Sequence, residues 1–77
     1  MPESELTRRI ALHREEIKKT RESIEMMRQG TLRTFEMRPG TRQIDTTEKS
    51  IAIYEEHIRT MESAIELAER LIALRQT

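Results

Sequence analysis

Twice in this chain, apolar or small side chains recur at alternating steps of three and four residues over seven positions, a pattern that fits a pair of long helices and little else. The first run is Leu6, Ile10, His13, Ile17, Thr20, Ile24 and Met27; the second is Ile51, Tyr54, Ile58, Met61, Ile65, Ala68 and Ile72. Each makes one stripe along about six helical turns, the kind of seam by which two helices pack along their length. Ser4 stands where an N-cap would accept from the first turn, and Gly30 where a left-handed residue would end it, so the first helix is predicted over residues 4–29. The second is predicted over residues 46–75. It is opened by Asp45-Thr46-Thr47-Glu48, an Asp cap with a Glu three residues on, in the manner of a capping box.

Between the stripes lie Thr31 to Asp45, where the spacing changes and Pro39-Gly40 marks a turn. This segment reads as a β-hairpin over residues 31–45, with an irregular loop as the alternative. If Phe35 faces Ile44 and Met37 faces Arg42, then Arg33, Phe35, Met37, Arg42 and Ile44 share one face, and the apolar residues segregate. Pro39 fixes φ near −65°, which disfavours a two-residue turn and points to a four-residue loop from Arg38 to Thr41. The expected fold is α+β: two long antiparallel helices joined by a hairpin, as one small domain over residues 1–77. Met27 near Ile51 makes facing residue numbers add to about 78. The expected core is Ile10, Ile17, Ile24, Phe35, Met37, Ile44, Ile51, Tyr54, Ile58, Met61 and Ile65.

How much such a core can stabilise depends on composition. Leu, Ile, Val and Phe supply sixteen of 77 residues, just above the roughly 20% below which chains are usually disordered, while 14 basic residues balance 14 acidic ones. There is no cysteine, hence no disulfide to brace a core of this size, which seldom contributes more than about 3 to 5 kcal/mol. A partner, or further copies of the chain, is expected. Nowhere do about 18 apolar residues run together, and the acidic start Pro2-Glu3-Ser4-Glu5 lacks the basic flank of a secretion signal, so a cytoplasmic protein with no membrane contact is expected.

Charge is divided along the chain. Thr7 to Arg42 holds ten basic and five acidic residues, Gln43 to Glu69 two basic and seven acidic, so antiparallel pairing sets opposite fields against each other. Catalytic motifs are missing: there is no glycine-rich phosphate loop, no nucleophile elbow and no His-Glu-x-x-His helix. His13 and His57 fall about eight residues apart along the pair, roughly 12 Å, too far to share a metal within one chain. No enzyme activity, cofactor or metal is expected. Arg28, Arg33, Arg38 and Arg42 cluster on and beside the hairpin against a lone Glu36, and Arg33, Arg38 and Arg42 are expected to bind an acidic protein surface. Nucleic acid is the less favoured ligand, because Phe35 is the only nearby aromatic for base stacking. Towards the C-terminus the apolar positions broaden around the helix. Leu67, Leu71 and Leu74 fall outside the stripe and are expected to bury against another chain in a homo-oligomer.

The order of these features resembles the head-to-tail joining (head completion) protein W family of tailed bacteriophages. The likeness is carried by Gly30, by Leu32-Arg33-Thr34-Phe35-Glu36-Met37-Arg38, and by Asp45 followed by Thr47-Glu48-Lys49-Ser50-Ile51-Ala52-Ile53-Tyr54-Glu55. It covers about residues 6 to 67. The resemblance implies two antiparallel helices with a hairpin packed against them, and a structural role at the portal vertex of a filled head, in the host cytoplasm and the virion, where the protein forms the platform for the tail. This chain departs from the pattern in its longer helices and in staying apolar to Leu74. An oligomeric helical-hairpin interaction module, or a regulator that sequesters a partner helix, is the alternative.

Overall fold

The computed structural model describes residues 4–40 and 42–75. Its elements are α1 (Glu5–Gln29), β1 (Phe35–Glu36), β2 (Ile44–Asp45) and α2 (Thr47–Arg75), which is helix–hairpin–helix order with very short strands. Pro2 and Glu3, used in the expectation about the chain start, and Thr41 of the expected loop lie outside the described residues.

Both ends of α1 form as their residues dictate. The Ser4 hydroxyl accepts from the Thr7 N–H at 3.1 Å. Gly30 takes φ 82°, a conformation that costs a side-chain-bearing residue, and its N–H turns back to the Met26 and Met27 carbonyls. The Thr31 and Leu32 N–H groups then reach Met26 O at 3.0 and 3.2 Å, so the last turn of the helix ends with its carbonyls occupied.

The stripes meet as one seam. Ile10, Ile17, Ile24 and Met27 of α1 are buried with Ile51, Ile58, Met61, Ile65 and Ala68 of α2, and Leu6 and Ile72 close the far end. Polar stripe members His13 and Thr20 stay half-buried; the Thr20 hydroxyl is spent on Glu16 O within its own helix, at 2.8 Å. Tyr54 corrects the expected core. It sits in the stripe but is 37% exposed, because a seam only two helices wide cannot enclose a phenol whose hydroxyl favours water.

Ion pairs on the two flanks of the seam follow the antiparallel register. Arg14–Glu69, Arg21–Glu62 and Arg28–Glu55 pair at 2.9, 3.6 and 2.8 Å, a ladder with a seven-residue step on both helices. On the opposite flank His57 Nε2 lies 3.3 Å from Glu16, not beside Arg21 as the stripes alone suggest. Paired residue numbers add to 83 on the ladder flank and 73 on the other, either side of the expected 78.

The hairpin departs from expectation. β1 and β2 pair antiparallel with Phe35 opposite Asp45 and Glu36 opposite Ile44, one residue away from the anticipated register. A one-residue slip exchanges the faces of a strand, so Phe35 and Ile44 no longer share a side. Phe35, Met37 and Ile44 are 49%, 72% and 45% exposed and do not belong to the core. Polar tethers at the strand bases impose this register. The Thr46 N–H donates to Thr34 O at 2.9 Å, the Thr34 N–H to Thr47 Oγ1 at 3.1 Å, and the Thr34 hydroxyl lies 2.7 Å from that of Ser50. Thr34 and Thr47 therefore turn inward where the apolar residues were expected. The molecule measures 60 × 22 × 18 Å, whereas α2 accounts for about 44 Å of length, so the hairpin extends the helix pair instead of lying over it.

Candidate interaction surfaces

The hairpin is anchored at its base by Asp45. One oxygen of its carboxylate, Oδ1, accepts from the Thr47 N–H at 2.9 Å and the Thr47 hydroxyl at 2.5 Å, while Oδ2 accepts from Arg33 Nε and Nη2 at 3.0 and 2.5 Å. The expected Asp cap is thus met in part: Asp45 stands one residue before Thr46, whose carbonyl accepts the first helical bond from the Ser50 N–H at 2.8 Å, and its carboxylate satisfies the N–H of Thr47, the first residue of α2. The two Thr47 bonds, then the Arg33 bond, hold the Asp45 carboxyl at about 2, below its ordinary 3.8. Thr47, 4% exposed, links Asp45 to the Thr34 backbone.

This geometry separates the three arginines expected to meet a partner. Arg33, expected to meet a partner's acidic surface, is turned onto Asp45 of its own chain and orients the hairpin, with half of its side chain still exposed. Arg38 lies beside Glu36, with its Nε 3.1 Å from the carboxylate, and its side chain is 62% exposed. Arg42 is exposed, and among the described residues no carboxylate pairs with it. The hairpin end combines this positive charge with uncovered Phe35, Met37 and Ile44, a mixture of apolar anchor and guanidinium suited to a protein surface.

A second uncovered region runs along α2. Leu67, Leu71 and Leu74 are 57%, 41% and 71% exposed, away from the Arg–Glu ladder: Leu67 and Leu71 stand two positions either side of Glu69, and Leu74 follows Leu71 by about one turn. Ala64 continues this edge. On the ladder flank, a shallow groove has Ile17 and Ile65 among its lining residues, and Arg14, Arg21, Glu62 and Glu69 pair across it. Those charges are already matched to each other, which leaves little for a ligand to satisfy.

Among the described residues, no group of His, Asp or Glu is arranged to hold a metal ion, and no helix is long and apolar enough to cross a membrane. No protein family, curated protein or solved structure matches this chain.

Proposed function

We propose that this chain is a structural, non-catalytic adaptor of virion assembly, of the head-to-tail joining kind, that binds at the portal or connector and presents a platform for the tail. The observation that carries this reading is the hairpin at one end of the helix pair, which exposes Phe35, Met37 and Ile44 beside Arg38 and Arg42. Phe35, Met37 and Ile44 would bury against the neighbouring connector component, and Arg38 and Arg42 would meet its carboxylates, with Arg33 holding the hairpin in position. The hairpin is small, and in this reading it is the β part of an α+β fold. The leucine edge of α2 joins copies of the chain to each other, leaving the hairpins to the connector. No cofactor takes part, and the protein acts in the host cytoplasm and then in the virion.

A second reading is favoured by the leucine edge itself, which needs no connector: an oligomeric helical-hairpin module that binds or sequesters another protein. Adding the purified protein to filled, tailless phage heads and imaging the portal vertex by electron microscopy separates the two. The adaptor reading predicts added density at that vertex, lost on changing Arg38 and Arg42 to Glu. Absence of wild-type density there contradicts it. Micromolar binding to duplex DNA, with a steep salt dependence flattened by the same substitutions, would replace it with a nucleic-acid role.

A further inference from the structure

Of the two large apolar residues of α1 that the seam leaves exposed, Leu12 at 64% and Met26 at 46%, Leu12 is the one far from the hairpin. It lies four residues before Glu16, hence on the flank of the His57 contact and away from the ladder. Leu67 lies on the same flank of α2, and its number adds with that of Leu12 to 79, so the two stand at about one height along the pair. An uncovered leucine on each helix at one level makes a strip two helices wide. A lone helix docked on α2 would leave the α1 half bare.

The charges around Leu12 indicate what covers the strip. At three residues before it stands Arg9 and at three after it Glu15; at four before, Arg8, and at four after, Glu16; at seven before, Glu5, and at seven after, Lys19. Every charge is answered by its opposite at the same distance on the other side, at the spacings that share a helix face, and all six residues are exposed. Within one chain Arg9 pairs with Glu5 at 2.7 Å and Glu16 lies 3.3 Å from His57, exposed contacts of small energy that a copy can exchange for its own. Such a face is self-complementary under a two-fold axis through Leu12, because an antiparallel copy lays Arg8 and Arg9 over Glu15 and Glu16, and Glu5 over Lys19. About Leu67 the second helix obeys the same axis by size. Leu71 meets the small Ser63 and Ala64 of the copy, and Leu74 meets Thr60, all exposed in the single chain.

We infer that the partner on this face is a second copy of the chain, packed as an antiparallel four-helix bundle about a two-fold axis between Leu12 and Leu67, with α1 on α1 and α2 on α2. The inference rests on the proposed burial of Leu67, Leu71 and Leu74 between chains, and adds the orientation and the α1 residues that set it. The two hairpins point away from each other at opposite ends of the dimer. Net charge zero lets the copies approach without long-range repulsion.

The absence of cysteine makes the axis directly testable. Leu67→Cys alone, and Leu12→Cys alone, should each oxidise to a disulfide-linked dimer of wild-type helicity, since a residue on a two-fold axis meets its own copy. Ile53→Cys, exposed but fourteen residues from the axis, should not, as its two copies lie about 42 Å apart. A charge exchange provides a second arm. Arg8→Glu with Arg9→Glu in one protein, and Glu15→Arg with Glu16→Arg in another, should each weaken self-association at least tenfold by sedimentation, and an equimolar mixture should recover it. A wild type that stays monomeric at high concentration would overturn both the leucine-edge burial and this geometry. An oligomer without the Leu67→Cys crosslink, or without recovery in the mixture, would overturn the geometry alone.

Discussion

In the helix pair nine apolar side chains are no more than 9% exposed, whereas in the hairpin Phe35, Met37 and Ile44 remain at least 45% exposed. The hairpin residues are as apolar as those of the seam, so composition is not the difference. The difference is reach. A stripe with a three-four period meets its partner along the whole length of a helix, while strands of two residues each, projecting past Gly30, have no facing layer to bury against. Order in the hairpin therefore comes from polar bonds at its base, Arg33 to Asp45 to Thr47 to Thr34, and the apolar side chains stay uncovered.

The largest effect is expected in the seam. Ile58→Ala removes a buried side chain from the middle of the stripe and should cost about 2 to 5 kcal/mol, comparable with the whole stability of a core this size. Thermal melting followed by circular dichroism should show the variant largely unfolded at 25 °C. A cooperative melt close to wild type would mean that the helices do not depend on each other.

The hairpin base comes next. Thr47→Val keeps the shape of a buried residue but removes the hydroxyl that donates to Asp45 and accepts from the Thr34 N–H, at an expected cost of about 1 to 3 kcal/mol. Backbone amide exchange at Thr34 and Thr46 should accelerate while exchange at Ile17 and Ile58 changes much less. Equal acceleration everywhere would show that the hairpin and the seam are one cooperative unit.

Acid should act on the same network. The Asp45 carboxyl titrates at about 2 in the folded chain against an ordinary 3.8, a depressed value, so its stabilising contribution is complete above about pH 4 and is lost as pH falls towards 2. Asp45→Asn should remove that component of the pH dependence, read from melting temperatures between pH 5 and pH 2. An unchanged profile would assign the acid response to other carboxylates. Smaller still is the effect of one rung of the ladder. The Arg21–Glu62 pair is 3.6 Å long with both side chains more than half exposed, and a double-mutant cycle to Ala should give about 0.2 to 1 kcal/mol, decreasing with added salt. A salt-independent coupling above that range would mean that the ladder sets the stability of the pair.

The seam was legible in the sequence because a helical period reports burial directly: Ile10, Ile17, Ile24, Ile51, Ile58, Met61 and Ile65 are all buried, and Ser4 and Gly30 bound α1 as their chemistry requires. The ladder was legible too, in Arg14, Arg21 and Arg28 against Glu55, Glu62 and Glu69, but only if the charges are read at seven-residue steps and not as net sums. The strand register was not. Segregating Phe35 with Ile44 presumes that apolar residues choose the face, whereas in strands of two residues the threonine and aspartate bonds choose it. The leucine edge could be read as apolar surface outside the stripe, and the charge inversion about Leu12 gains meaning only once Leu12 and Leu67 are seen at one height.

Phe35→Ala, melted beside Ile58→Ala, tests the central contrast most directly. With half of its surface exposed, Phe35 should contribute about 1 kcal/mol or less to the fold, well short of the value for a fully buried ring, so its truncation should leave helicity intact and lower the melting temperature by only a few degrees. Stability then lies in the seam, with little of it in the hairpin. A loss of about 3 to 5 kcal/mol, with the chain unfolding as it should for Ile58→Ala, would put Phe35 in the core and contradict it.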